Sequence, residues 1–496
     1  FAIEYFFGNS ARNLNGPPLP EIEAEEHTVI DPGGFQVIED FLFPYDALQN
    51  KELLREAGRM KSIITRTKTL WEENEFRDDQ VFDALRLQCF RIITLGISGF
   101  DTPLSFKGID EVPETLTSIK EIIEFYSPDK KIAALFDNAI NYASSNNHFN
   151  EFDRLTFITD YINPITTNIH GLQRSLNIST INNVYALNGD AATLFDSAAF
   201  NINYFTPDAN SYTTPEKIAL GKKLFYDPVL SGNNKVSCSS CHQPEKAFTD
   251  GLTKSKALSG QGFLPRNTPT LINAALQRSQ FYDMRSFYLE DQVRNVIENK
   301  DEIHGDMKKA AAILGISERD IQVALSCYIR SLTSFNSRFD KYMRGDKTQL
   351  NAEEKTGFNL FMGKAKCGIC HFMPVFNGTV PPAFTFTESE VIGVPADKEG
   401  KMLDNDPGRY AIYKIDNFKN AFKTPTVRNI ELTAPYMHNG VYNTLDEVVE
   451  FYNRGGGAGI GLKVDNQTLP FDSLSLNATE KKAIIAFMNS LSDNKY

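Results

Sequence analysis

Long apolar runs are missing. No stretch of the 496 residues approaches the roughly 18 consecutive apolar side chains of a membrane-spanning helix, and the nearest, Cys89–Phe100, is broken by Arg91. No membrane span is expected. Positive charge is in deficit too: 51 Lys and Arg stand against 63 Asp and Glu, a formal net charge of −12 with a pI near 5.3. That balance argues against nucleic acid or an anionic membrane as the main partner and suits a basic protein partner. Tryptophan occurs once, at Trp71, histidine seven times and cysteine six. Hydrophobic content of 41% and charged content of 23% are those of a globular chain rather than a disordered one. The length suggests two to four domains of about 100–200 residues each. The chain opens at Phe1 without a methionine, so a processed or trimmed form is expected.

Two of the six cysteines, Cys89 and Cys327, stand alone in helix-like apolar surroundings and read as buried, inert thiols. The other four form two Cys-x-x-Cys-His strings, Cys238/Cys241/His242 and Cys367/Cys370/His371. Two cysteines three apart can each form a thioether to one vinyl group of a haem while the adjacent histidine coordinates its iron, which is why the three must be neighbours. A zinc knuckle or a redox Cys-x-x-Cys is the competing reading of either string. Two matches in a repeated frame favour two covalently bound haems c. Such attachment takes place outside the cytoplasm, so export to the periplasm is expected, with His242 and His371 as proximal ligands.

Residues 1–200 read as a separate helical domain. Glu39–Phe43, Leu53–Thr69 and Asp79–Ile97 carry apolar residues at three- and four-residue spacing between breaks such as Asp31-Pro32-Gly33-Gly34 and Asp101-Thr102-Pro103. The Asn- and Thr-rich sequence around Phe200–Thr214 reads as a linker, and Pro215-Glu216 opens a helix. His27, His148 and His170 are scattered through this part and read as structural. From there the chain repeats itself. Gly221-Lys-Lys-Leu-Phe225 precedes the first Cys-x-x-Cys-His and Gly357-Phe-Asn-Leu-Phe361 the second, while Cys-Tyr-Ile-Arg-Ser-Leu332 and Ala-Phe-Met-Asn-Ser-Leu491 close the two copies. The fold class is all-α with minor β, confined to loops such as Ala383–Val394. Two cytochrome-c-like domains in tandem, 201–340 and 341–496, follow the helical one. Gly455–Gly457 lacks the flanking strand and helix of a nucleotide site and reads as a loop.

From about residue 215 onward the sequence resembles the bacterial dihaem cytochrome c peroxidases and their MauG-type relatives. The motifs that carry this are Cys-Ser-Ser-Cys-His242, Ala247-Phe-Thr-Asp-Gly251, Pro265-Arg-Asn-Thr-Pro-Thr270, Phe281-Tyr-Asp-Met-Arg285 and Leu289-Glu-Asp-Gln292. Thr424-Pro-Thr-Val-Arg-Asn429, Pro435-Tyr-Met-His-Asn-Gly440 and Thr444–Tyr452 follow in the same order. The resemblance implies a peroxidatic first haem, with Glu302 as distal acid/base and Gln292 as its polar partner, since breaking the O–O bond needs a group that moves a proton between the oxygens. His304, close by, reads as a surface residue. Many relatives close the resting iron with a loop histidine before Arg-Asn-x-Pro. Here Ser259 occupies that place, so an open or water-ligated first haem, reactive without prior reduction, is expected.

Where the family has tryptophan between its haems, this chain has Tyr282 as the relay. For the second haem the resemblance points to Tyr452 as the far-side iron ligand, with Met437 and His438 as alternatives. Asn267, Thr433 and Pro435 match positions that hold a calcium ion with oxygen ligands. Arg266 and Arg428 match partners for haem propionates.

Three functions compete. The first is reduction of hydrogen peroxide to water with electrons from a small donor protein, a cytochrome c or a cupredoxin-like one. The second is MauG-like oxidation of aromatic residues in a partner protein, favoured by Tyr452 and Ser259. The third is electron carriage without catalysis, which Glu302 and an open first haem argue against. The helical domain is expected to cap the haem region or to dock a partner. A homodimer is compatible with the resemblance, as is a lipid anchor.

Overall fold

The computed structural model describes residues 2–8, 14–16, 21–23 and 28–493; His27 lies outside them. Helices dominate, and the described strands are two short antiparallel pairs, Glu21–Glu23 with Thr28–Ile30 and β1 (Ser389–Glu390) with β2 (Phe422–Lys423). Mostly helical architecture thus stands. Among the described residues no helix is long and apolar enough to cross a membrane.

The expected N-terminal helices form with small shifts at their ends. Helix Phe35–Leu42 is followed by α1 (Asn50–Glu73), α2 (Asp78–Thr94), α3 (Gly108–Tyr126), α4 (Lys130–Ser145) and α5 (Asn163–Ser175). Helix α2 opens on Asp78 and Asp79 and carries Arg91 in its last turn, charges that complement the helix dipole. Asp129 caps α4 by accepting from the Lys131 amide at 2.8 Å.

Past residue 214 the duplication becomes geometric. Helix α6 (Pro215–Tyr226) crosses α8 (Glu318–Ser331), with α7 (Leu289–Glu298) alongside; in the second copy α9 (Ala352–Met362) crosses α11 (Ala478–Asn489), with α10 (Leu445–Asn453) alongside. Each crossing is a glycine contact. A Cβ on Gly221 would lie 1.8 Å from the Ala324 carbonyl oxygen, and one on Gly357 1.9 Å from that of Ala483, so neither position admits a side chain. Beside them Phe225 meets Tyr328 edge-on with centroids 5.1 Å apart, and Phe361 meets Phe487 at 5.2 Å.

The first unit has its own core, built from Leu224, Phe225, Phe248, Ile272, Ile297, Ile303 and Leu325 among others. The N-terminal helices are not a separate body. Their core, from Phe82, Phe90, Ile109, Phe136 and Phe157, runs without a break into Phe339, Phe358, Phe376 and Phe487 of the second unit. Nor are residues 200–214 a free linker. Phe200 stacks on Phe335 at 5.6 Å and meets Phe384 edge-on at 5.1 Å, while the Ser211 carbonyl accepts from Arg330 at 3.3 Å. These aromatic rings bury more apolar surface on the second unit than a detached linker could hide.

The N-terminal part sits against the second attachment loop. Phe100 packs edge-on against Phe372 at 5.6 Å, the Lys366 ammonium lies 4.6 Å over the Phe106 ring, and the Asn359 amide bridges Asp153 and Leu155. No residue from Phe361 to Val380 is exposed, whereas Gly232–Lys235, Ser240, Glu245 and Lys246 of the first unit are. Cys89 and Cys327 are buried and free, as read from sequence. His148 is exposed and His170 buried.

Candidate active site

Each Cys-x-x-Cys-His folds as one 3-10 turn, Cys238–Ser240 or Cys367–Ile369. In both, the histidine amide donates to the carbonyl of the first cysteine at 2.9 Å, which sets two sulfurs and one imidazole around a common space. None of the four cysteines is in a disulfide. Burial pushes Cys238 and Cys367 up to about 12 and pulls His371 down to about 4, with His242 also lowered. Burial thus disfavours the charged form of both rings. Nδ1 of His242 lies 2.9 Å from the Phe248 carbonyl and Nδ1 of His371 3.0 Å from that of Pro425. A carbonyl can only accept, so Nδ1 carries the proton and each Nε2 keeps its lone pair for a metal. Thioether-forming thiols beside a pre-oriented Nε2 fit a covalently attached haem at both places.

A second repeat, missed in the sequence, holds these rings. Thr268-Pro-Thr270 through Asn273 matches Thr424-Pro-Thr426 through Asn429. Thr270 Oγ1 donates to the Ala247 carbonyl at 2.6 Å and Thr426 Oγ1 to that of Val375 at 2.7 Å. Asn273 and Asn429 both adopt left-handed backbone (φ 58° and 59°) and accept from the amides of Ser334 and Asp493 at 2.9 and 2.7 Å. The signal was present as Thr-Pro-Thr-x-x-Asn, twice.

On the first unit, Glu302 lies in the turn after α7, half-buried, not on a solvated helix face. The Asn299 amide donates to its Oε1 at 2.9 Å, and Gly232 ties the turn down by donating to the Ile303 carbonyl at 3.1 Å. Burial raises the Glu302 carboxyl above the ordinary range, Arg285 opposing, and its charge is felt at Cys241. Gln292 is half-buried on α7 and its amide has no protein partner among the described residues; His304 is exposed. Ser259 is exposed and donates to the Gln261 carbonyl at 3.2 Å.

Tyr282 stands at the seam between the units, its carbonyl accepting from the Lys423 amide at 2.8 Å. Burial pushes its hydroxyl well above the tyrosine range, Arg266 opposing. Arg266 is neutralised inside the protein: it donates to Asp406 at 2.7 and 2.9 Å and to Asp283 at 2.6 Å. Arg428 is fully buried and donates to Asp340 at 2.7 and 2.9 Å and to the Pro374 carbonyl at 2.6 Å.

In the second unit Tyr452, on α10, is half-buried. Burial first, then Cys370, Cys367 and Glu390, push its hydroxyl well up, which places it beside the attachment thiols. Met437 joins the same apolar cluster. His438 has its ring stacked on Phe422 at 3.7 Å and its Nε2 3.3 Å from Asp404. Two acids went unnoticed in the sequence: Glu390 accepts from Cys370 Sγ at 3.7 Å and Thr468 Oγ1 at 2.5 Å, and both it and Glu388 are raised by burial. Asn267 donates through its amide N–H to the His438 carbonyl at 2.7 Å, which brings it to the loop of Pro435, while Thr433 donates to the Ile430 carbonyl at 3.2 Å.

Residues 215–348 match the family model described as di-haem cytochrome c peroxidase. The methylamine utilization protein MauG of Methylorubrum extorquens is 33% identical over 305 residues, 58% of this chain and 80% of that protein. Cytochrome-c peroxidase IdrP2 of Denitromonas iodatirespirans is 33% identical over 309 residues, 56% of this chain and 82% of that one. A solved MauG-like protein associated with microbial copper homeostasis is 31% identical, covering 58% of this chain and 91% of its own, at a TM-score of 0.49. With two repeated Cys-x-x-Cys-His cradles that fit haem c and relatives matched over four-fifths of their length, the chain belongs to the di-haem cytochrome c peroxidase and MauG family of oxidoreductases.

Proposed function

We propose that the protein reduces hydrogen peroxide to two waters at the first haem, taking two electrons through the second haem from a small redox protein, a cytochrome c or a cupredoxin-like donor. The observation that carries this reading is the inequality of two otherwise repeated sites. Glu302 lies near Cys241 with a serine where a closing histidine would stand, whereas Tyr452 lies beside Cys367 and Cys370. Haem iron, when bound, supplies the redox chemistry of O–O cleavage. Glu302 takes a proton from one peroxide oxygen and returns it to the departing one, oriented by Asn299. Gln292 offers a free amide to the same space, and Tyr282 bridges the units as electron relay. Tyr452 would hold the second haem iron through its phenol oxygen, a ligand type that favours the ferric state. Asn267, Thr433 and Pro435 supply oxygen ligands for a calcium ion. Covalent attachment of both haems, which takes place outside the cytoplasm, supports a periplasmic location for the mature protein.

The test is the spectrum of the ferric protein as isolated, before and after one equivalent of peroxide. An immediate change without prior reduction supports the reading. A spectrum indifferent to peroxide until one haem is reduced overturns the open first site. A second reading, oxidation of aromatic residues in a partner protein, is favoured by Tyr452 and Ser259 and predicts oxidised products on that partner in place of donor turnover.

A further inference from the structure

At the seam between the two units, cations outnumber their carboxylates. Arg266, Arg285, Arg409 and Lys423 gather around Asp283 and Asp406. Asp406 takes two donors of Arg266, and Asp283 takes the third together with Arg285 at 2.8 Å. Among the described residues neither of the other two cations is in an ion pair, and Asp283, already taken by two arginines, acts on both from a distance. Arg409 donates to Ser389 Oγ at 2.8 Å and lies 3.8 Å over the Phe418 ring, and its buried Nε has no acceptor among the described residues. Among the same residues the Lys423 ammonium donates to the Ser279 carbonyl alone, at 3.2 Å. Elsewhere Arg86, Arg330 and Arg428, buried, and Arg91, half-buried, are matched by Asp83, Glu290, Asp340 and Asp101, and Arg154, fully buried, is satisfied by the Ile97, Phe149 and Phe152 carbonyls.

Burying an unmatched charge is costly, so two of them in one place mark anions that belong there. Ser389 and Lys423 stand directly opposite each other in the β1–β2 pair, which puts Lys423 and the Ser389-bound Arg409 on one face. That face adjoins both units. Lys423 bonds to Tyr282 of the first and lies two residues before Pro425, whose carbonyl holds His371 of the second. A haem brings its own anions, two propionates on the edge away from the thioether bonds.

We propose that Lys423 and Arg409 are the counter-ions of haem propionates at the seam, the part that sequence assigned to Arg266 and Arg428. This rests on both haems being bound and is independent of peroxide chemistry.

The experiment is a spectroelectrochemical titration of the two-haem protein carrying Lys423→Met, Arg409→Met or Lys423→Arg, with haem content measured in each. Removing a cation beside the porphyrin favours ferric iron. The Met variants should lower the reduction equilibrium constant of the affected haem about tenfold, about 59 mV for one electron, and Lys423→Arg should restore it. The haem whose potential moves owns the propionate. Should Lys423→Met fail to accumulate, Arg409→Met carries the same prediction alone. Both potentials unmoved in Arg409→Met and Lys423→Met, with two haems retained, overturn the proposal, whether or not the protein consumes peroxide.

Discussion

The amide of Lys423 donates to the carbonyl of Tyr282 at 2.8 Å, and two residues on, the Pro425 carbonyl accepts from the ring of His371. A short bonded path therefore joins the second imidazole to the seam tyrosine. Replacing Tyr282 by Phe keeps the ring and this backbone bond while removing the hydroxyl. Rapid reduction of the second haem followed by observation of the first should then show severalfold slower internal transfer with unchanged resting spectra. An unchanged rate would leave Tyr282 a packing residue.

Glu302→Gln preserves shape and the Asn299 contact yet cannot take a proton. Stopped-flow mixing with peroxide should show a rate lower by about 10²–10⁴-fold. Because burial raises the carboxyl, the parent rate should climb as pH rises through that elevated value and then level off. The Gln variant should show no such limb.

Glu388 gives a pH signature of stability. Its carboxyl is held protonated by burial and by the neighbouring Glu390, above the ordinary value of 4.5. The native state keeps a proton that the unfolded chain releases, so this contribution is full below 4.5 and is lost as pH rises toward the native value. Melting curves between pH 5 and 9 should fall less steeply for Glu388→Gln than for the parent. Parallel curves would remove Glu388 as the source.

The two glycine crossings separate the cores. Gly221→Ala and Gly357→Ala each force a helix pair apart, at a cost of about 1–3 kcal/mol. Hydrogen exchange should show residues 82–169 destabilised more by Gly357→Ala than by Gly221→Ala, since their core continues into the helix pair around Gly357 and not into the one around Gly221. Equal effects of both would contradict the division.

Covalent spacing and helix repetition were legible because they are local: Cys-x-x-Cys-His states its own geometry, and Gly221 and Gly357 mark the crossings. Residues that act through distant partners were not. Asp340 closes Arg428 from 88 positions away and Asp406 closes Arg266 from 140, distances that no local pattern encodes. The extended core failed to show for the same reason, since Phe200 reads alike whether it faces solvent in a linker or the Phe335 ring. Glu388 and Glu390 looked like the polar half of a loop strand, and only the contacts of Glu390 with Cys370 and Thr468 reveal that the strand faces the attachment loop.

The packing of Phe100 and Phe106 over Phe372 and Lys366 has a kinetic meaning. A macromolecular reductant approaching the second haem from its thioether side meets the N-terminal helices first, while the corresponding flank of the first unit stays open to water. Electron tunnelling weakens steeply with distance, so, on the proposed route through the second haem, this segment would set how closely a donor protein can come.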